Sequence, residues 1–163
     1  MRANKKLAEV LETYMAKTPE VKTPCDRCLN TKRWDGSVVL MVVDAAFTSV
    51  GLNYFTAVVP KVELFRRRFV LTGRVTDCAG LACINISSLL SIWKNKRSWR
   101  MAKKVASFLE KHGKTDRAAL RRWARGVDLD RWTEDPIGAI KGVGINTLQY
   151  LRMMGGVDTV MPD

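Results

Sequence analysis

Ten residues of this chain, Val38-Val-Leu-Met-Val-Val-Asp-Ala-Ala-Phe47, carry a single charge, at Asp44. A helix that is apolar around its whole circumference has no face to offer water, so this segment belongs inside a core. Extended to Val59, the run approaches the length of a membrane span. Asp44, Thr48, Ser49, Asn53 and Thr56 interrupt it, and the reading is a buried helix broken near Gly51.

The rest of the chain shows helical periodicity and no convincing run of alternating strands, so the expected class is all-α. Residues 3–17 place Leu7, Val10, Leu11, Tyr14 and Met15 on one helical face before Pro19 and Pro24 stop the helix, and residues 18–36 read as an irregular connector. Pro60 is expected to end the buried segment, followed by a short helix over 61–69, a loop over 72–83 and an apolar helix over 84–93. An amphipathic helix over 98–111 sets Met101, Val105, Phe108 and Leu109 at helical spacing, with Arg100, Lys103, Lys104 and Lys111 pointing elsewhere. Thr115 can cap a further basic helix that ends at Gly126. A length of 163 residues and 47% hydrophobic content suit one domain or two small lobes. We divide the chain into 1–36, a helix and cysteine-bearing connector forming part of a second lobe, and 37–163, a helical core.

The net charge of +12 and pI near 9.9 concentrate polyanions at the surface, nucleic acid being the commonest. The charge is clustered: residues 94–125 hold twelve Lys or Arg against Glu110 and Asp116, and Arg66-Arg67-Arg68 adds a second knot. A solvated basic helix face is the plainer explanation of such a cluster. The first residues contain no apolar stretch of signal-peptide length, so the expected location is cytoplasmic and nucleoid-associated. A single Gln among abundant Arg and Lys leans toward a thermophilic source. Four cysteines stand as Cys25-x-x-Cys28 and Cys78-x-x-x-x-Cys83. They leave three states open: a structural zinc, disulfides, or unlinked buried thiols.

From Asp135 the pattern sharpens. Pro136 to Ile140 can form a short helix, Lys141-Gly-Val-Gly144 a tight turn, and Ile145 to Met154 a second helix. Gly142 and Gly144 can take positive φ and leave the backbone bare, so that amides opening the second helix can approach a phosphate. Such contacts hold a duplex without reading its sequence. Ile140, Val143, Ile145, Leu148 and Leu151 would pin the two helices together.

The stretch Ile140-Lys-Gly-Val-Gly-Ile-Asn-Thr147, with Met161-Pro-Asp163 following at the appropriate interval, resembles the helix-hairpin-helix DNA glycosylases, whose hairpin reads Leu-Pro-Gly-Val-Gly-x-x-Thr; Lys141 replaces the usual proline. Leu89-Leu-Ser-Ile-Trp93 and Trp99-Arg-Met-Ala-Lys-Lys-Val105 look like the helix pair that precedes the hairpin. The stretch from Phe47 to Asn53 occupies the place of the loop that fills the gap left by a flipped base, with Ser49 or Asn53 in place of the usual Gln or Asn. The resemblance implies a helical glycosylase fold with the hairpin at about 135–155. Family members continue beyond the aspartate, so the C-terminal part is expected to be missing.

Glycosylases extrude a base before cleaving its N-glycosidic bond. The resemblance makes Asp163 the carboxylate that stabilises the developing oxocarbenium charge and activates water, with Asp158 the competing candidate. Lys141, Gly142, Val143, Gly144, Asn146 and Thr147 are the expected DNA contacts, and Tyr150 a candidate to stack on the base. Bifunctional members carry a Schiff-base lysine at the position of Asn146, and an amide cannot supply that amine. The expectation is a monofunctional enzyme acting as a monomer on double-stranded DNA with a damaged or mismatched base. It requires no cofactor, carries no iron-sulphur cluster and involves no membrane. A non-catalytic DNA-binding module and a basic RNA-binding protein are the other readings.

Overall fold

The apolar segment is the axis of the structure. In the computed structural model, which describes residues 2–17, 23 and 26–159, helix α2 (Val38–Thr48) buries every side chain from Val38 to Phe47. Ser37 opens it, its side chain accepting from the Leu40 amide, and the chain turns away at Gly51, where φ is +72°. Around α2 pack α3 (Val59–Phe65), α4 (Cys78–Cys83), α6 (Lys96–Lys111), α7 (Asp116–Gly126) and α8 (Ile145–Met154), together with turns at Arg33–Gly36 and Tyr54–Val58. Helix α1 (Arg2–Lys17) precedes this body, with Val10 and Tyr14 exposed, and the short α5 (Ile86–Leu89) links α4 to α6. Among the described residues the secondary structure is helical, without strands. None of these helices is long and apolar enough to cross a membrane.

Three segments differ from the sequence expectation, each for a local reason. Pro60 does not end a helix. It lies in the first turn of α3, between π-helical turns at Tyr54–Val58 and Arg66–Val70, so residues 54–70 wind continuously. Proline lacks the N–H that the next helical hydrogen bond would need, and at the start of α3 that loss is harmless. Residues 78–83 form a helix where a loop was expected, because the Asp77 carboxylate accepts from the Gly80 amide at 2.8 Å and caps it. Conversely, only Ile86–Leu89 of the apolar 84–93 stretch is α-helical. The chain turns at Leu90 so that Asn95 can cap α6, accepting from the amides of Arg97 and Ser98.

Helix α6 is amphipathic as its spacing requires, burying Trp99, Met101, Ala102, Val105, Ala106 and Leu109 while Arg100 and Lys104 face water. Its tryptophan meets the central helix. Phe47 stacks on Trp93 with ring centroids 4.4 Å apart and meets Trp99 edge-on at 4.9 Å. The Trp99 indole donates to the Trp93 carbonyl at 2.8 Å and the Trp93 indole to Ser98 Oγ at 3.2 Å. No polar hydrogen is stranded in this aromatic centre.

The segment before α2 is fastened to the same body. Residues 26–29 make one helical turn, and Arg117 of α7 donates to the Asn30 carbonyl at 2.6 Å. Thr31, Trp34 and Asp35 adopt left-handed φ values of 52°, 51° and 56°, which cost on the order of 1–3 kcal/mol each in non-glycine residues. Two contacts offset that cost: Trp34 donates to Asp44 at 2.7 Å, and Asp35 pairs with Arg66 at 2.9 Å. Replacing Trp99, which is fully buried, by alanine is expected to lower the unfolding free energy by about 3–5 kcal/mol, read as a lower midpoint in urea denaturation.

Candidate nucleic-acid interface

Asp135 builds the first half of the hairpin. Its Oδ1 accepts from the amides of Ile137 and Gly138 at 2.8 and 3.0 Å and from the Trp123 indole at 3.0 Å, so one carboxylate both shapes the turn and ties it to α7. Residues 136–140 are a succession of turns rather than the expected short helix. The Trp132 carbonyl packs so close to Gly138 that a Cβ there would stand 1.8 Å from that oxygen. Gly142 has φ +108° and opens the turn as expected. Gly144 does not take positive φ; it is extended at −106° and serves as the N-cap of α8 with no side-chain cap. Its value lies in its bareness, since nothing stands within 4 Å of where its Cβ would be.

Helix α8 therefore begins with first-turn amides that no side chain caps, beside open space, where the helix dipole favours an anion. That space is a cleft of about 380 Å³. One wall is Thr48, Ser49 and Gly51 at the end of α2; the other is Gly142, Gly144, Ile145, Asn146 and Thr147; Tyr150 lies between them. Two regions singled out separately in the sequence thus meet across one opening. Of the hairpin pins, Val143, Leu148 and Leu151 are buried, with Ile140 and Ile145 partly so.

Beneath the cleft lies a polar cluster that sequence reasoning missed. Asp44, fully buried on α2, accepts at Oδ2 from the Trp34 indole (2.7 Å), the Tyr150 hydroxyl (2.9 Å) and the Tyr54 hydroxyl (3.0 Å). Arg33 donates to the Tyr54 hydroxyl, and its Nε stands 3.9 Å from the same carboxylate. Burial pushes the Asp44 carboxyl above the ordinary carboxylate range, against the hydrogen bonds from Trp34, Tyr150 and Tyr54 and the Arg33 charge, which pull it down. Burial and then the Asp44 charge push the Tyr150 phenol up, so it remains a donor. The signal in the sequence was Asp44 itself, a lone charge in an apolar helix.

The remaining candidates fall as follows. Ser49 lines the cleft, its hydroxyl donating to the Ala46 carbonyl at 2.7 Å. Asn53 does not line it; its side chain caps the 54–58 turn by accepting from Thr56 N at 3.0 Å. Tyr150 borders the cleft but is buried, and its hydroxyl is committed to Asp44. Val143 is core rather than contact surface, and Lys141 faces a neighbouring groove. Gln149 is buried, accepting from Arg152 and from Thr159 at 3.0 Å, and Asp158 is exposed. His112 is a surface residue stacked on Phe108.

Asp163 and Cys25 lie outside the described residues. Cys28 and Cys78 are buried, Cys83 is exposed, and Cys78 and Cys83 are free thiols. Among the described residues no group of three or more His, Cys, Asp or Glu is placed to hold a metal ion. Comparison of the chain with protein-family models, curated proteins and solved structures finds no match.

Two outcomes follow for the hairpin and the cluster. Gly138→Ala should destabilise the protein by at least the ~1–3 kcal/mol of an overpacked core, because the obstructing atom is backbone; thermal unfolding reads it. For Asp44, a carboxyl whose folded pKa is raised contributes stability that is complete below the unfolded value of about 3.9 and lost as pH rises through the folded value. Wild-type stability should therefore fall relative to Asp44→Asn as pH is raised through that acidic window in parallel urea titrations. Parallel profiles would show that Asp44 ionises as freely in the folded chain as in the unfolded one.

Proposed function

We propose that the chain is a monofunctional DNA N-glycosylase that releases a damaged or mismatched base from duplex DNA. The observation that carries the reading is the cleft in which the uncapped start of α8 faces Thr48, Ser49 and Gly51. An anionic strand can be held at the helix start while the loop after α2 approaches the space an extruded nucleotide vacates. The hairpin amides position the backbone without reading sequence. Tyr150 borders the cleft as a buried residue, and its hydroxyl bond to Asp44 anchors α8 beneath the site.

The chemical step rests on sequence spacing. Asp163, following the hairpin at the family's interval, stabilises the oxocarbenium-like sugar and orients water, acting through charge more than through covalent bonding. Asn146 stands at the mouth of the cleft where a lyase would need an amine, so the product is an intact strand with an abasic site.

The test is a panel of duplexes carrying uracil, 8-oxoguanine, alkylated purines or mismatched thymine. Abasic sites should form on at least one of them, with strand breaks only after alkali and no borohydride-trapped adduct. Asp163→Asn should abolish release and retain DNA affinity. Inactivity on the whole panel with tight abasic-DNA binding would assign a binding module instead. Preference for structured RNA at matched salt would reject both.

A further inference from the structure

A second concavity adjoins the hairpin cleft and has a different chemistry. It is a groove of about 440 Å³ whose floor is formed by Ile86 and Met101 and whose rim is formed by Arg97, Arg100, Lys103 and Lys104 of α6 with Lys141 of the hairpin. No carboxylate lines it. The ion pairs among the described residues involve Arg33, Arg66, Arg67 and Arg131, none of which belongs to the groove. Five like charges converging from two elements repel one another, and that repulsion is relieved by an anion. The positions are partly built. Lys103 donates to the Ile84 carbonyl. The Arg97 guanidinium lies over Gly142, its Nε 3.1 Å from where a Cβ would stand. Gly142 lines the hairpin cleft and its chain neighbour Lys141 lines the groove, so the two concavities adjoin.

We propose that this groove is a binding track for the sugar-phosphate backbone of a DNA strand, continuing the anion site of the hairpin along the first two turns of α6. The inference rests on the DNA reading above and deepens it, by assigning a second set of backbone contacts that the hairpin motif does not contain. Charge complementarity selects the occupant: phosphodiesters meet the cationic rim, and the apolar floor accepts the sugar edges between them. An acidic peptide would bring carboxylates to the same rim without the regular spacing of a strand, and it serves as the competitor in the test.

The experiment measures binding of the full chain to a fluorescent duplex containing an abasic site, over a series of salt concentrations. Each phosphate contact contributes about 0.9 to the slope of log K against log salt. The double variant Arg100→Ala/Lys104→Ala removes two exposed cations of the groove and should lower the slope by about 1.8. Lys61→Ala/Arg68→Ala, an equal loss of charge at exposed positions elsewhere, should leave the slope unchanged. Arg100→Lys/Lys104→Arg should restore it. Equal slopes for the groove variant and the wild type, equal losses for both double variants, or displacement of the duplex by a polyglutamate peptide at equal charge concentration would overturn the track. If base release and duplex binding by the wild type persist in those cases, the groove assignment fails alone. If the wild type binds no duplex at all, the functional reading fails and takes the track with it.

Discussion

One buried carboxylate organises the half of the molecule that faces the cleft. Asp44 Oδ2 gathers the Trp34 indole and the hydroxyls of Tyr54 and Tyr150, so a single oxygen on α2 links the turn before it, the helix after it and the hairpin's second helix. The links to Trp34 and Tyr54 each span 10 residues and the one to Tyr150 spans 106. A carboxylate emptied of such partners inside an apolar core would be among the costliest groups a fold can carry. Satisfied, it specifies the arrangement: any slippage of α8 along α2 would break the Tyr150 bond and leave Asp44 Oδ2 with only the Trp34 and Tyr54 donors. The left-handed turn at Trp34 and Asp35 is intelligible on the same grounds, because in that bend the indole meets the carboxylate.

The hairpin is held by a parallel device. Asp135 directs two amides and an indole onto one oxygen, while Gly138 lets the Trp132 carbonyl lie where a side chain would stand. These two residues shape the turn before Gly142, and Gly144 stands bare at the start of α8. Uncapped amides at a helix start are donors already in place for an anion. Gly142 also admits the Arg97 side chain, so its positive φ and its missing Cβ serve different neighbours.

Much of this architecture was legible in the sequence. The buried helix at 38–48, its break near Gly51, the Thr115 cap, the Gly126 end and the helix at 145–154 all follow from period and punctuation, which are local properties. What escaped was non-local or depended on a single hydrogen bond. Residues 78–83 looked like a loop because two glycines outweigh short helical content unless the Asp77 cap is credited. Pro60 looked like a terminator because a π turn before it cannot be read from residue type. Positive φ was expected at both hairpin glycines, yet Gly144 is extended, since a helix N-cap asks for β geometry whichever residue fills it. The Tyr54, Tyr150 and Trp34 partners of Asp44 come from three separate segments, and no period connects them.

The position of the cluster gives it a consequence beyond stability. Tyr150 belongs to both the cleft and the core: its ring borders the opening, and its hydroxyl reaches Asp44. Thr48, at the opposite wall, donates from its hydroxyl to the Asp44 carbonyl at 2.9 Å. Asp44 therefore contacts two residues that line the cleft, Tyr150 from α8 and Thr48 within its own helix. Polar burial at Asp44 and openness at Gly144 are thus complementary: the first ties Tyr150 of α8 to α2 beneath the cleft, and the second leaves the start of α8 uncovered.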